Sequence, residues 1–91
     1  MLNDTTAPDA ARKRLFFRCH HTGMKENDLL FGTFAQRHLA DLTDEEVAWL
    51  EALLVNNDDP DLYNWITGRE PTPAALDHPV MDMLKRFKFK S

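Results

Sequence analysis

The chain has 91 residues, of which 43% are hydrophobic and 29% are charged, and its net charge is −4 at pH 7. These values describe one small domain over residues 1–91 with a single core, and they exclude separate catalytic and regulatory domains. The apolar runs fall far short of the roughly 20 residues that cross a bilayer, so we expect no membrane insertion. The negative charge argues against non-specific binding of nucleic acid.

The N-terminal segment, from Met1 to Asp9, carries acids but no base, and it lacks the pattern of a secretory signal or an organellar presequence. We therefore expect a protein of the bacterial cytoplasm. A single cysteine, Cys19, excludes an internal disulfide and agrees with a reducing compartment. An ordered core is expected from about residue 8 to residue 88, with flexible termini.

Every strong periodicity in the chain is helical, and five helices are predicted to form a small all-α bundle. The first helix begins near Thr6 and Pro8, because proline is favoured in the opening turn. Its apolar stripe consists of Leu15, Phe16 and Cys19. Gly23 follows the helix end, where the left-handed conformation that glycine adopts without steric cost is common.

The second helix is predicted from about Lys25 to Leu39. The residues spaced to share its inner face are Leu29, Leu30, Phe34 and Ala35. Glycine inside a helix costs up to about 1 kcal/mol relative to alanine. We therefore expect Gly32 to permit a close contact with a neighbouring helix.

The third helix has the clearest start, because Thr43 and Glu46 form a capping box that satisfies two backbone donors reciprocally. Its apolar positions are Val47, Leu50, Leu53 and Leu54. Polar residues at 56–58 end it. Short loops of this kind imply that neighbouring helices pack antiparallel.

The fourth helix is predicted to be capped by Asp59, to carry Pro60 in its first turn and to stop at Gly68. Leu62 and Trp65 within it are assigned to the core. A rigid connector with two prolines then precedes the fifth helix. The apolar positions of that last helix are Val80, Met83, Leu84 and Phe87.

The segment from His21 to Leu30 is the most informative part of the chain, because one helix stops there and another starts beside an exposed turn. Its acids lie in the first turn of the second helix, where negative charge meets the positive end of the helix dipole. A rigid corner of this kind can dock against a larger protein. Glu26 would accept hydrogen bonds from that partner, and the small Gly23 would let two backbones approach closely.

Two motifs carry a resemblance to a known family. They are Gly-Met-Lys-Glu-Asn-Asp-Leu-Leu from Gly23 and Asp-Asp-Pro-Asp-Leu-Tyr-Asn-Trp from Asp58. Together, within a likeness that extends from about Arg14 to Phe87, they resemble the SdhE family, the bacterial relatives of mitochondrial succinate dehydrogenase assembly factor 2. Either motif alone would be weak, but the pair at this spacing is specific.

The resemblance implies a small helical protein that binds the flavoprotein subunit of succinate dehydrogenase, and often of fumarate reductase, and promotes covalent attachment of FAD. The bond joins a histidine of that subunit to the 8α-methyl carbon of the flavin. The chain would therefore be an accessory factor and not an enzyme, with no tightly bound cofactor of its own. Direct contact with FAD stays open.

The family signature is Arg-Gly-x-x-Glu, of which Gly23 and Glu26 match, while Thr22 stands in the position of the arginine. Histidine and lysine nearby cannot copy the bidentate geometry of a guanidinium. The predicted partner-binding residues are His21, Thr22, Gly23, Met24, Lys25, Glu26 and Asn27. The second motif supplies a secondary set of candidate partner-binding residues, for which a purely structural role is the alternative. They are Asp59, Asp61, Tyr63 and Asn64.

The charge distribution supports a different hypothesis. The stretch from Asp41 to Asp61 holds eight acids and neither lysine nor arginine, while basic residues concentrate near both ends of the chain. The alternative function is thus a small acidic helical adaptor, or an antitoxin-like inhibitor, that covers a basic site on another protein. Solvated helix faces explain the same pattern without any partner.

The four histidines and the cysteine provide little basis for other chemistry. Ligand spacings typical of a metal site are missing, and adjacent His20 and His21 diverge by about 100° on a helix, so we predict no metal site. Cys19 on an apolar face is expected to be a small buried hydrophobe. We assign no nucleophile, and we expect a monomer.

Overall fold

The computed structural model describes residues 8–88, without the side chains of Pro8 and Lys88. Within this range the chain forms five α-helices: α1 (Pro8–His20), α2 (Lys25–His38), α3 (Asp44–Asn56), α4 (Asp59–Ile66) and α5 (Pro79–Lys88). Two single 3₁₀ turns follow α2 and precede α5, at Leu39–Asp41 and Ala74–Leu76. The predicted all-α five-helix fold is confirmed. The predictions of a helix start at Thr6 and of flexible termini fall on residues outside the described range.

Helix α2 lies at the centre of the packing. It contacts α1, α4 and α5, while α1 also packs against α3 and α4 against α5. One apolar core joins these elements, and its fully buried large side chains come from all five helices: Leu15, Phe31, Phe34, Leu50, Leu62, Ile66, Met81 and Leu84. None of the described helices is long and apolar enough to cross a membrane.

Two predicted core positions are wrong. Phe16 is 40% exposed and Leu29 is 73% exposed. On α1, buried Leu15 and Cys19 lie four residues apart and define the inner stripe, so Phe16 is turned by about 100° from Leu15. The inner stripe of α2 is likewise centred on residues 27, 31, 34 and 35, which leaves Leu29 on the outer side.

Gly32 confirms the expected close helix contact. A Cβ atom built at this position would lie 2.8 Å from Cδ2 of His20, closer than real Cβ atoms approach other heavy atoms. The end of α1 therefore packs its imidazole directly onto the backbone of α2. This contact draws together the two helices on either side of the turn at residues 21–24.

The helix boundaries follow local chemistry in most places. The capping box of α3 is present, with Glu46 N–H donating to Thr43 Oγ1 at 3.1 Å and Thr43 N–H donating to Glu46 Oε1 at 2.9 Å. Gly68 has a φ of 82° after the end of α4, as a glycine helix stop requires. The predicted cap of α4 is wrong, because Asp58 is the N-cap and Asp59 is already helical.

Candidate docking site

The turn between α1 and α2 spans residues 21–24. Gly68 is the only described glycine with a positive φ, so the left-handed conformation predicted for Gly23 is wrong. The chain leaves the turn through Met24 in an extended conformation, with φ −136° and ψ 127°, and enters α2 directly. A left-handed residue is unnecessary because α1 ends three residues before Gly23.

A different contact explains the glycine. The backbone N–H of Gly23 donates to Oδ2 of Asp59 at 2.6 Å, across 36 residues of sequence. A Cβ atom at Gly23 would lie 2.7 Å from the same carboxylate oxygen. A side chain at this position would therefore collide with the group that accepts its own N–H. The second motif of the sequence thus reaches the first through Asp59.

Asn27 holds Asp59 from the opposite side. Its side chain is fully buried, and its Nδ2 donates to the backbone carbonyl of Asp59 at 2.9 Å. The amide oxygen of Asn27 has no hydrogen-bond partner among the described residues. The prediction that Asn27 contacts a partner is therefore corrected: without exposed surface, its side chain supports the corner from within.

Thr22 is also engaged within the molecule. Its backbone N–H donates to Oδ1 of Asp28 at 2.5 Å, and its hydroxyl lies 2.6 Å from the same oxygen. The hydroxyl oxygen accepts from the N–H of Met24 at 3.2 Å. The residue in the position of the family arginine therefore closes the turn onto the first turn of α2.

Glu26 differs from these neighbours. It lies exposed in the first turn of α2, and it enters none of the salt bridges found within the described residues. Lys25 and His21 are exposed beside it, Gly23 is exposed in the turn, and Met24 is half-buried. The corner therefore presents an unpaired carboxylate to solvent on a backbone that is fixed from several sides.

Exposed apolar side chains occur on both helices that adjoin the turn, and helical periodicity did not predict them at the surface. Phe17 is 63% exposed and, with Phe16, precedes the turn, while Leu29 follows it. Leu15, Phe16 and Phe17 are consecutive, and three adjacent helical residues cannot all face one core, which is the signal that could have revealed them. Exposed apolar residues near a polar rim are typical of protein contacts.

His21 packs on this apolar surface. Its ring stacks on Phe17 with the centroids 4.0 Å apart, and its Nδ1 lies 2.7 Å from the carbonyl oxygen of Phe17. Because a carbonyl only accepts, the Nδ1 atom must donate. In the neutral ring, Nε2 is then the acceptor, pointing away from that bond.

The remaining residues of the secondary set lie elsewhere on α4. Asp61 is exposed, while Tyr63 and Asn64 are half-buried. The guanidinium of Arg69 lies 5.6 Å from the centre of the Tyr63 ring. Of the four residues, Asp59 is the one that the structure shows hydrogen-bonded to the turn and to Asn27.

Two acids of the stretch, Glu51 and Asp44, form ion pairs with arginines of α1. Arg14 donates from Nε and Nη2 to the two carboxylate oxygens of Glu51 at 2.7 and 2.9 Å. Nε of Arg18 lies 3.7 Å from Oε2 of the same carboxylate. The hydrogen bond from Arg14 holds the pKa of the Glu51 carboxyl below its ordinary value. Asp44 pairs with Arg12 at 3.3 Å. These contacts occupy two of the eight acids, while Glu45, Asp58 and Asp61 are exposed, so the acidic adaptor stays an alternative.

Cys19 has the environment of a core residue. It is fully buried, and that burial raises the pKa of its thiol to about 12. The thiol is therefore protonated at neutral pH and is a poor nucleophile. Within residues 8–88, no group of three or more His, Cys, Asp or Glu side chains could hold a metal ion.

Comparison with known proteins identifies related chains. Residues 13–88 match the family described as "Flavinator of succinate dehydrogenase". Mitochondrial succinate dehydrogenase assembly factor 2 of Drosophila grimshawi is 40% identical over 77 residues, which cover 82% of this chain and 52% of the relative. The same protein of Drosophila virilis is 42% identical over 82 residues, covering 87% and 51%. The chain thus spans about half the length of these curated relatives.

Proposed function

The chain belongs to the family of succinate dehydrogenase flavinators, and on this premise we propose that it binds the flavoprotein subunit of succinate dehydrogenase and promotes covalent attachment of FAD to that subunit. The same role extends to the flavoprotein of fumarate reductase. The role is accessory, because the covalent bond forms between partner and flavin, and FAD belongs to the partner. Action as a monomer in the bacterial cytoplasm stays a prediction, since the named relatives are mitochondrial.

The exposed carboxylate of Glu26 is the observation that supports this proposal most directly. The neighbouring polar groups are engaged in internal hydrogen bonds. Thr22 bonds to Asp28, and the Gly23 N–H donates to Asp59. A carboxylate on a rigid corner can accept hydrogen bonds from a partner without the ordering cost of a mobile loop. The local structure therefore uses the side chains of Thr22, Asp28 and Asp59 internally and leaves the Glu26 carboxylate free for recognition.

The exposed apolar residues complete the proposed surface. Phe17 before the turn and Leu29 after it supply apolar area that loses water when a partner covers it. A partner that covers the corner would also exclude water from Glu26, which strengthens a hydrogen bond to its carboxylate. Exposed apolar area together with a directional hydrogen-bond acceptor suits a protein partner.

Binding of this kind promotes a reaction in the partner by orientation. A rigid corner that contacts two segments of a larger protein stabilises the arrangement in which both contacts are satisfied. The reacting histidine of the partner and its flavin then spend more time at reacting distance. In this role the chain needs neither a nucleophile nor a general base, in keeping with the buried, protonated Cys19.

Glu26→Ala tests the proposal. The variant should keep its fold and lower the amount of covalent flavin on the flavoprotein subunit at least about tenfold at limiting concentration, because a hydrogen bond to a charged group contributes about 1.5–3 kcal/mol. The measurement is flavin fluorescence of that subunit in a denaturing gel. Glu45→Ala is a matched control, since Glu45 is also an exposed glutamate at the second residue of a helix.

The outcomes separate the two hypotheses. Normal covalent flavin in cells that lack the whole protein would refute the maturation role. Loss of partner binding after charge reversal at Glu45 and Glu51, with Glu26→Ala still active, would instead favour the acidic adaptor. A purified chain that turns over a substrate without any flavoprotein would contradict the accessory role.

A further inference from the structure

The two sequence motifs of this protein meet at one residue. Asp59 opens α4, yet its carboxylate accepts the N–H of Gly23 and its backbone carbonyl accepts the amide of Asn27. These two bonds attach the start of α4 to both the turn and the first turn of α2. Asp59 therefore bridges elements that are separated by more than thirty residues in sequence.

We propose that Asp59 is a positioning residue that fixes the corner in its docking conformation, and that residue 23 is glycine in order to admit the Asp59 carboxylate. This assignment differs from the expectation that Gly23 is small so that a partner backbone can approach. Its functional consequence rests on the proposed docking role of the corner. Its structural part, a hydrogen-bonded latch between α4 and the turn, stands independently.

The distances support the assignment of the glycine. The donor nitrogen of Gly23 lies 2.6 Å from Oδ2 of Asp59, and a Cβ on residue 23 would lie 2.7 Å from that same atom. An alanine would therefore have to displace the carboxylate from its hydrogen bond. Other atoms near the Cβ position are sparse, since the next is the Asp59 carboxyl carbon at 3.9 Å. The steric demand at Gly23 thus comes from Asp59.

The start of α4 also shows that Asp59 is not needed as a helix cap. Asp58 is the N-cap residue, and its side chain makes no capping hydrogen bond. Pro60 in the first turn lacks an N–H and has a backbone angle suited to a helix start. The Asp59 carboxylate is consequently available to the turn, and the buried Asn27 holds its backbone in place.

A fixed corner matters for Glu26 because that residue follows Gly23 by only three positions. If the turn moved, the carboxylate of Glu26 and the exposed Phe17 would lose their relative positions, and a partner would have to reorder them on binding. The latch therefore acts on affinity through Glu26 and not through contact with the partner. Removing it should weaken docking while leaving the docking groups themselves present.

The first experiment measures the latch directly. In the isotope-labelled full chain, Asp59→Ala should shift the Gly23 amide resonance and speed its hydrogen exchange by about tenfold, because a hydrogen bond to a charged acceptor is lost. Asp58→Ala removes the same charge one residue earlier and should change that exchange less than about twofold. In Asp59→Asn the amide oxygen still accepts, so an intermediate result is expected and guards against a poorly folded alanine variant.

The second experiment measures coupling in docking. Calorimetric titration of each variant with the flavoprotein subunit of succinate dehydrogenase should show equal loss of affinity, about tenfold, for Gly23→Ala and Asp59→Ala. The double variant should bind no more weakly than either single one, because each change breaks the same hydrogen bond. If Gly23 instead contacted the partner backbone, the two losses would multiply.

Three results would overturn the assignment: an unchanged Gly23 amide in Asp59→Ala, normal affinity of Asp59→Ala beside weakened Gly23→Ala, or multiplicative losses in the double variant. Failure of the proposed function is distinguishable from all three. In that case Glu26→Ala would also leave covalent flavin unchanged, while the Gly23 amide would still report the latch.

Discussion

Helices α2 and α3 begin with similar sequences but differ in how the first turn is held. Both carry a glutamate at the second helical position, Glu26 in α2 and Glu45 in α3, within an acidic first turn. In α3 the acid three residues after Thr43 is consumed by the capping box. In α2 the N-cap residue, Met24, makes no side-chain cap, and the preceding turn is held by groups from other positions.

This difference separates a structural helix start from a candidate docking corner. A capping box is local, so its stability depends on residues adjacent in sequence. The α2 corner relies on Asp28 from within its helix and Asp59 from α4, and this arrangement leaves Glu26 exposed. The lesson is that a helix start supported from elsewhere in the fold can present its own acid to a partner.

The largest expected effect comes from Asn27→Asp. The change replaces a buried donor with a carboxylate facing the carbonyl of Asp59, so it should lower the free energy of unfolding by about 3 kcal/mol or more. Urea unfolding measures this loss. Asn56→Asp, an exposed control at the end of α3, should cost under about 1 kcal/mol. Equal midpoints for the two variants would show that the α2 corner does not depend on its buried amide.

Thr43→Ala probes the other helix start. It removes half of the capping box and should cost about 1 kcal/mol of stability, because the backbone N–H of Glu46 loses the Thr43 hydroxyl as its acceptor. Thermal unfolding measures the loss, and Thr33→Ala inside α2 provides the same chemical change away from a cap. Covalent flavin on the partner should stay normal at temperatures where the variant is folded. A drop in flavin as large as that of Glu26→Ala would remove the functional distinction between the two starts.

The smallest effect concerns the pairing of α1 with α3. Hydrogen bonding from Arg14 lowers the pKa of Glu51 below its ordinary value of 4.5, so the carboxylate stabilises the fold above that pH. The contribution is lost as the pH falls through the lowered pKa. Glu51→Gln should therefore reduce the melting temperature by at most a few degrees at neutral pH, where water screens the pair.

The difference in melting temperature between Glu51→Gln and the unaltered chain should shrink as the solution is acidified below pH 4.5, which is the ordinary pKa of the carboxyl. Melting curves recorded across this range measure it. Arg14→Gln should remove most of the same pH dependence, since it deletes the main hydrogen-bond donor. A difference that grows toward acid would mean that the pKa of Glu51 is raised and not lowered.

The amino-acid sequence by itself determined the five helices, the α3 capping box and the glycine stop at Gly68. Each of these rests on residues within a few positions of one another, so the governing forces are local. It also showed that the Gly23 and Asp58 motifs occur together. It also places the Glu26 carboxylate beside an exposed turn, and in the structure Glu26 is exposed.

Only the tertiary structure showed that the two motifs contact each other and which residues form the contact. Contact between Gly23 and Asp59 depends on how α4 packs against α2, and no local rule relates residues 36 positions apart. The same packing buries Asn27 and leaves Phe17 and Leu29 in solvent, although periodicity alone assigned Leu29 to the core. Helical spacing defines which residues share a face, but the direction that the face takes is set by where the neighbouring helices lie.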